Sequence, residues 1–167
     1  VCSFEGTMRN TEILETMKKM PKNFTKIVRV IATSPKESLL TAFERNEEQI
    51  NLIGYGRFTN VDVHNKSCEG VSETLKIVEK SGVPDRIQIF TRGKDIVTPE
   101  LIYDSAKQNN EYQSASETLE KYRLLNEEKM KDTIEERLNE ILNSRNVETN
   151  EENERKKLIK EINMTEA

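Results

Sequence analysis

The sequence is poor in the residues that build metal sites and disulfide frameworks. Two cysteines, Cys2 and Cys68, and one histidine, His64, are all that 167 residues supply. Two cysteines are too few for a disulfide scaffold, and with a single imidazole they argue against structural zinc. No metal ligand set is expected. No apolar run approaches the ~20 residues of a membrane span, and the polar, charged opening lacks the apolar core of a secretory signal. No membrane association is expected, and a reducing, cytoplasmic setting is the natural expectation. Basic charge is also short: 26 Lys and Arg against 30 Asp and Glu give a net charge of −4. A general nucleic-acid binder needs a basic face to neutralise phosphates, so that class is set aside.

Apolar residues make up 34% of the chain and charged residues another 34%, which predicts a modest core with a charged extension. The chain opens on Val1 in a short β-compatible run, 1–4, stopped by Glu5-Gly6-Thr7. A start inside a strand leads to the expectation that an upstream half belongs to this one. Asn10 or Thr11 can cap a helix bearing Ile13, Leu14 and Met17 that ends before Pro21. Residues 26–32 form the best strand, rich in β-branched residues. Ser34-Pro35-Lys36-Glu37 is a capping box with proline at the first helical position. The helix it opens buries Leu39, Leu40 and Phe43. Its other face aligns Ser34, Ser38, Thr41 and Arg45, a row read as open to a ligand or another segment.

Residues 51–66 read as irregular. Val71, Leu75 and Val78 mark a helix stopped by Gly82 and Pro84. Residues 86–90 alternate as a strand, with Leu101-Ile102-Tyr103 as hairpin partner. Ser114 to Glu117 form a second capping box, and Met130, Ile134, Leu138 and Ile141 share a helical face. Alternating strands and helices predict an α/β fold with a mostly parallel sheet flanked by helices and a C-terminal helical extension. The expected segments are 1–112, the α/β part; 113–143, helices packing on it; and 144–167, a charged tail, helical or disordered.

Glu5-Gly6-Thr7 lies where open α/β sheets bind ligands, after the carboxyl end of a strand. A carboxylate beside a hydroxyl can hold a sugar or nucleotide hydroxyl; a plain polar turn is the competing reading. Arg45 and Arg57 are candidates for stabilising phosphoryl transfer, where guanidinium groups offset charge on equatorial oxygens; exposed surface charges are the alternative. His64 reads as a structural hydrogen-bonding group, Tyr55 and Tyr103 as packing or loop residues, and Cys68 as inert. The six glycines form no G-x-x-x-x-G-K-[ST] loop, so the chain has no backbone cradle for ATP phosphates.

The run Phe4 to Thr11 resembles the stretch of zeta toxins in which a strand ends in Glu-Gly-Thr-x-Arg before a helix. Phe43-Glu44-Arg45-Asn46-Glu47, Gly56-Arg57, His64, the strand 87–90 with Arg92, and Leu101 to Asp104 follow in the family's order. The likeness covers roughly residues 2–142. It implies a P-loop kinase-like fold, of which this is the C-terminal half. It implies that Glu5 and Thr7 contact the amino sugar of UDP-N-acetylglucosamine, that Arg9 lies beside them, and that Arg45 and Arg57 grip the ATP phosphates and stabilise the transferring group. The implied reaction moves the ATP γ-phosphate to the sugar's 3′-hydroxyl, with ATP and Mg²⁺ as cofactors and an epsilon-type antitoxin as possible partner. The family's P-loop lysine and aspartate base lie upstream of Glu5, so the chain alone is expected to be inactive without its N-terminal half. A kinase of another small hydroxylated metabolite, or a non-catalytic module binding an antitoxin or partner subunit, are the alternatives.

Overall fold

The computed structural model describes residues 3, 5–92, 98–144, 156 and 159–162. Along the chain run α1 (Glu12–Lys19), β1 (Ile27–Ile31), α2 (Pro35–Ile53), α3 (Val61–Ser81), β2 (Arg86–Arg92), β3 (Pro99–Asp104), α4 (Ala115–Lys129) and α5 (Lys131–Ser144). The predicted α/β class holds. Of residues 1–4, read as a strand, only Ser3 is described, and it has no regular structure. Most of the charged tail likewise lies outside the described residues; Lys156 and 159–162 are helical.

Contacts gather the chain into two compact units. The first takes Val1–Thr33 and Lys66–Leu124; the second takes Ser34–Asn65 and Leu125–Ala167. The first unit holds a three-stranded sheet in the order β1-β2-β3. β1 and β2 are parallel, with Val28 opposite Ile87 and Val30 opposite Ile89. β3 returns antiparallel to β2, placing Tyr103 opposite Ile89, as the hairpin reading predicts. The sheet is therefore mixed, with one parallel and one antiparallel pairing. Val28 and Val30 face a core completed by Leu14 and Met17 of α1, Leu75 and Val78 of α3, and Leu119 of α4. Ile27 and Ile31 point the other way and are exposed, the alternation that a pleated strand imposes.

Two polar devices tie this unit together. Arg86 holds the buried Asp104 carboxylate through both Nε and Nη2, and that pairing keeps the carboxyl well below the usual carboxylate range. At the start of α4, Glu79 of α3 accepts from the backbone N–H of Ala115 at 2.6 Å and from the Ser116 hydroxyl at 3.0 Å. A carboxylate there satisfies otherwise orphaned N–H groups and meets the positive end of the helix dipole. Ser114 caps the same helix, its hydroxyl accepting from Glu117 N at 3.1 Å.

The second unit is helical. Leu39, Leu40 and Phe43 of α2 pack with Val61 of α3 and Ile134, Leu138 and Ile141 of α5. Residues 51–66, expected to be irregular, are mostly helix: α2 continues to Ile53 and α3 starts at Val61. The polar sequence around His64 hides the helix because only Val61 and His64 of this stretch are buried, too few to write an amphipathic stripe.

Candidate functional site

In the first unit the segment Glu5–Arg9 precedes α1 without regular structure, and Glu5, Thr7 and Arg9 are all exposed. Its path is fixed from below. Met8 takes φ +52°, a left-handed conformation that costs a side-chain-bearing residue about 1 kcal/mol or more, and its side chain packs on the sheet's core. The Arg9 carbonyl lies against α3 at Gly70, where a Cβ would stand only 2.4 Å from the oxygen. No other residue type allows that approach. Leu14 and Met17, buried one and two turns on, anchor the downstream end. The predicted substrate-facing residues Glu5, Thr7 and Arg9 thus share one exposed, tightly seated segment.

In the second unit, Ser34 caps α2 as read from the sequence, its hydroxyl accepting from Glu37 N at 3.1 Å. Of the two occupants expected for the row above it, a ligand or another chain segment, the structure shows the second. Ser38 Oγ meets His64 Nε2 at 3.1 Å, and Thr41 Oγ1 accepts from Arg137, whose guanidinium also pairs with Glu44. α3 and α5 fill the space those small side chains leave. Only Arg45, at the end of the row, is exposed.

α2 ends on Gly54 at φ +79°, whose N–H bonds to Ile50 O at 2.8 Å, a left-handed C-cap. The chain then turns back along the helix it has left. A Cβ on Gly56 would stand 2.4 Å from the Asn46 carbonyl oxygen and 2.8 Å from its Nδ2, and Arg57 N donates to Gln49 Oε1 at 2.9 Å. Arg57 therefore follows directly on a residue seated against Arg45's neighbour.

What sets these residues apart is what their side chains leave undone. Arg29 donates to Gln88, Arg86 to Asp104, Arg123 to the Cys68 carbonyl and Ser72, and Arg137 to Glu44; Arg92 is engaged as well. Among the described residues, Arg9, Arg45 and Arg57 alone of the arginines have no ion pair or side-chain hydrogen bond. Three uncommitted guanidinium groups are suited to anionic oxygens.

His64, hydrogen-bonded to Ser38 and to Asn65 Oδ1, has the structural surroundings expected of it. Burial pushes the Cys68 thiol up, which disfavours the reactive thiolate. Tyr103 is buried in the core, whereas Tyr55 is exposed. Among the described residues no cluster of histidine, cysteine, aspartate or glutamate is arranged to hold a metal ion. Asn46, Gln49 and Gly70 were missed by sequence reasoning. Gly70 stands just before the helix read from Val71, so it left no signal there, and neither did Asn46 or Gln49.

The zeta toxin profile matches residues 3–99, more than half of the chain and the span carrying Glu5, Arg45 and Arg57. The chain belongs to the zeta toxin family. No curated protein matches the sequence. Among solved structures, a chain from the PezAT chromosomal toxin–antitoxin system of the human pathogen Streptococcus pneumoniae superposes with a TM-score of 0.63 at 25% sequence identity. The match covers 82% of this chain and 53% of that one, so the chain spans about half the length of the structure it resembles. The α/β fold matches part of a P-loop kinase-like toxin.

Proposed function

We infer that this chain is the acceptor-side part of a zeta-toxin-type phosphotransferase acting on UDP-N-acetylglucosamine. The observation that carries the reading is the set of uncommitted arginines: Arg9, Arg45 and Arg57, which the family likeness selects, are those with no partner among the described residues. Glu5 accepts hydrogen bonds from hydroxyls of the sugar, and the Thr7 hydroxyl can donate or accept beside it. Arg9 adds positive charge next to them for the substrate's diphosphate. Arg45 and Arg57 neutralise the oxygens of the group in transfer, a term that rises as charge spreads in the transition state. ATP with Mg²⁺ supplies, when bound, the γ-phosphoryl group for the sugar's 3′-hydroxyl. The free guanidinium groups fit the phosphate end of that nucleotide. In the family the phosphate-loop lysine and the base that takes the hydroxyl proton lie upstream of the block that Glu5 matches, and this sequence carries no G-x-x-x-x-G-K-[ST] pattern. An epsilon-type antitoxin and a cytoplasmic setting accompany this reading.

The test is to add a polypeptide carrying the phosphate-loop half of a family kinase and to follow ATP-dependent phosphorylation of UDP-N-acetylglucosamine. Arg57→Ala is expected to lower kcat by roughly 10³-fold, the scale of a transition-state arginine, and Glu5→Gln to act mainly on KM. Equal rates for Arg57→Ala and the parent chain would remove the assigned role. The same assay with other hydroxylated acceptors tests a different kinase specificity. A module that only binds an antitoxin predicts no saturable heat when the sugar nucleotide is titrated into the chain.

A further inference from the structure

Placing two arginines on one anion is a positioning problem, because each carries a long, mobile side chain on a different backbone segment. Arg45 rides on a helix, whereas Arg57 sits on an irregular stretch between α2 and α3. Its position depends on whatever fastens that stretch. The fastening is unusually close: the strap 54–57 leaves no room for a methyl group between Gly56 and the Asn46 backbone. The Asn46 side chain closes the same gap. It is 2% exposed, and its Nδ2 has no hydrogen-bond partner.

A buried, unsatisfied amide is unfavourable for stability, and an apolar group of the same size would normally serve better. Its location against Gly56, with Arg45 next to it along the chain and Arg57 next to Gly56, points to a purpose other than stability. Chain dimensions place the Arg45 and Arg57 Cα atoms within about 14 Å of one another through this contact. Two extended arginine side chains are long enough to span that distance with a diphosphate between them.

We propose that Asn46 and Gly56 are a positioning pair that seats Arg57 beside Arg45, so that the two guanidinium groups bind one phosphate chain as a single clamp. The inference rests on the reading of these arginines as phosphate-facing, and it adds two residues that touch no substrate themselves. In Gly56→Ala the new Cβ meets the Asn46 backbone oxygen at 2.4 Å and its side-chain Nδ2 at 2.8 Å, and because the nearer atom is backbone the strap lifts and takes Arg57 with it. In Asn46→Leu the orphan donor is removed, but methyl groups bulkier than the planar amide stand against Gly56, so the strap is displaced while the cost of the buried, unpaired amide disappears.

The experiment titrates inorganic pyrophosphate into the full chain labelled at arginine Nε and follows the Arg45 and Arg57 side-chain resonances. In the parent protein both are expected to move along one isotherm with a common midpoint. Gly56→Ala and Asn46→Leu are each expected to weaken the Arg57 response on the order of tenfold or more, as misplacement by about 1 Å does at other charge-stabilising sites, while the Arg45 response persists. Asn46→Leu is expected to melt no lower than the parent, which separates positioning from folding and keeps the test alive should Gly56→Ala fail to fold. Two different midpoints in the parent, no saturable shift, or unaltered Arg57 isotherms in both variants would overturn the proposal. No sugar nucleotide is present, so a wrong acceptor assignment leaves these outcomes untouched.

Discussion

Replacing Gly70 by alanine sets two opposed effects against each other. In an unobstructed helix interior the change favours folding by about 1 kcal/mol, because alanine loses less backbone entropy than glycine. Here the added Cβ would stand 2.4 Å from the Arg9 carbonyl oxygen and 3.2 and 3.3 Å from its C and Cα, whereas ordinary contact begins at 3.4 Å. The oxygen must therefore retreat by about 1 Å, and both partners are backbone. Met8 is already in a left-handed conformation, and Leu14 and Met17 hold α1 in the core, so the segment has little slack. Overpacking of this kind costs typically 1–3 kcal/mol, enough to cancel the helix gain and to reverse it at the upper end. Gly70→Ala is expected to destabilise by about 1 kcal/mol, lowering the melting temperature by about 2–4 °C for a chain of this size. Calorimetry or urea denaturation reads it, with Glu73→Ala on an exposed position of the same helix as the unobstructed control. Because Glu5 and Thr7 lie just upstream of the displaced carbonyl, sugar-nucleotide binding should weaken in parallel. A melting temperature at or above the parent's would show that the seat is not as tight as drawn.

Other expectations follow from single contacts. Ser34→Ala removes the N-cap of α2 and should cost about 1 kcal/mol, read as a lower urea midpoint; no change would mean that Glu37 N finds another acceptor. Asp104 has a folded-state pKa depressed by Arg86, so its stabilisation is present above the unfolded carboxylate value near about 4 and is lost as pH falls through and below it. The stability gap between the parent and Asp104→Asn should be widest at neutral pH and shrink on acidification; a constant gap from pH 7 to 3 would refute the pairing as its source. Burial raises the Cys68 thiol, so its alkylation at pH 8 should be slower than that of a free thiol and accelerate only on further alkalinisation. Equal rates at pH 8 would contradict it.

Legibility in the sequence followed the range of the interaction. The capping box at Ser34 and the C-terminal punctuation at Gly82 are local chemistry, and both stand where they were read. The 86–90 strand was legible because polar Arg86 and Gln88 alternate with Ile87 and Ile89 in type, even though Gln88 is buried as they are. α3 was read as 71–80 but begins at Val61. Its first turns bury few residues, and the partner of His64 is Ser38, 26 residues earlier, which no local window contains. The row Ser34, Ser38, Thr41 and Arg45 was placed on one helical face, and of its two expected occupants, a ligand or another segment, packing supplies the second. Helical spacing fixes which residues share a face, but not which neighbouring helix covers it.

Residue chemistry and order, in the sequence alone, determined the α/β class, the family likeness and the candidates Glu5, Thr7, Arg9, Arg45 and Arg57. These depend on side-chain type and short-range geometry, which the chain carries in one dimension. Tertiary packing decided which charges are committed. Arg29, Arg86, Arg123 and Arg137 are spent on partners within the fold, and the Gly56–Asn46 and Gly70–Arg9 seats arise between residues 10 and 61 positions apart. Such contacts exist only once the helices have packed, because a glycine's missing Cβ has no meaning until another backbone arrives to use the space.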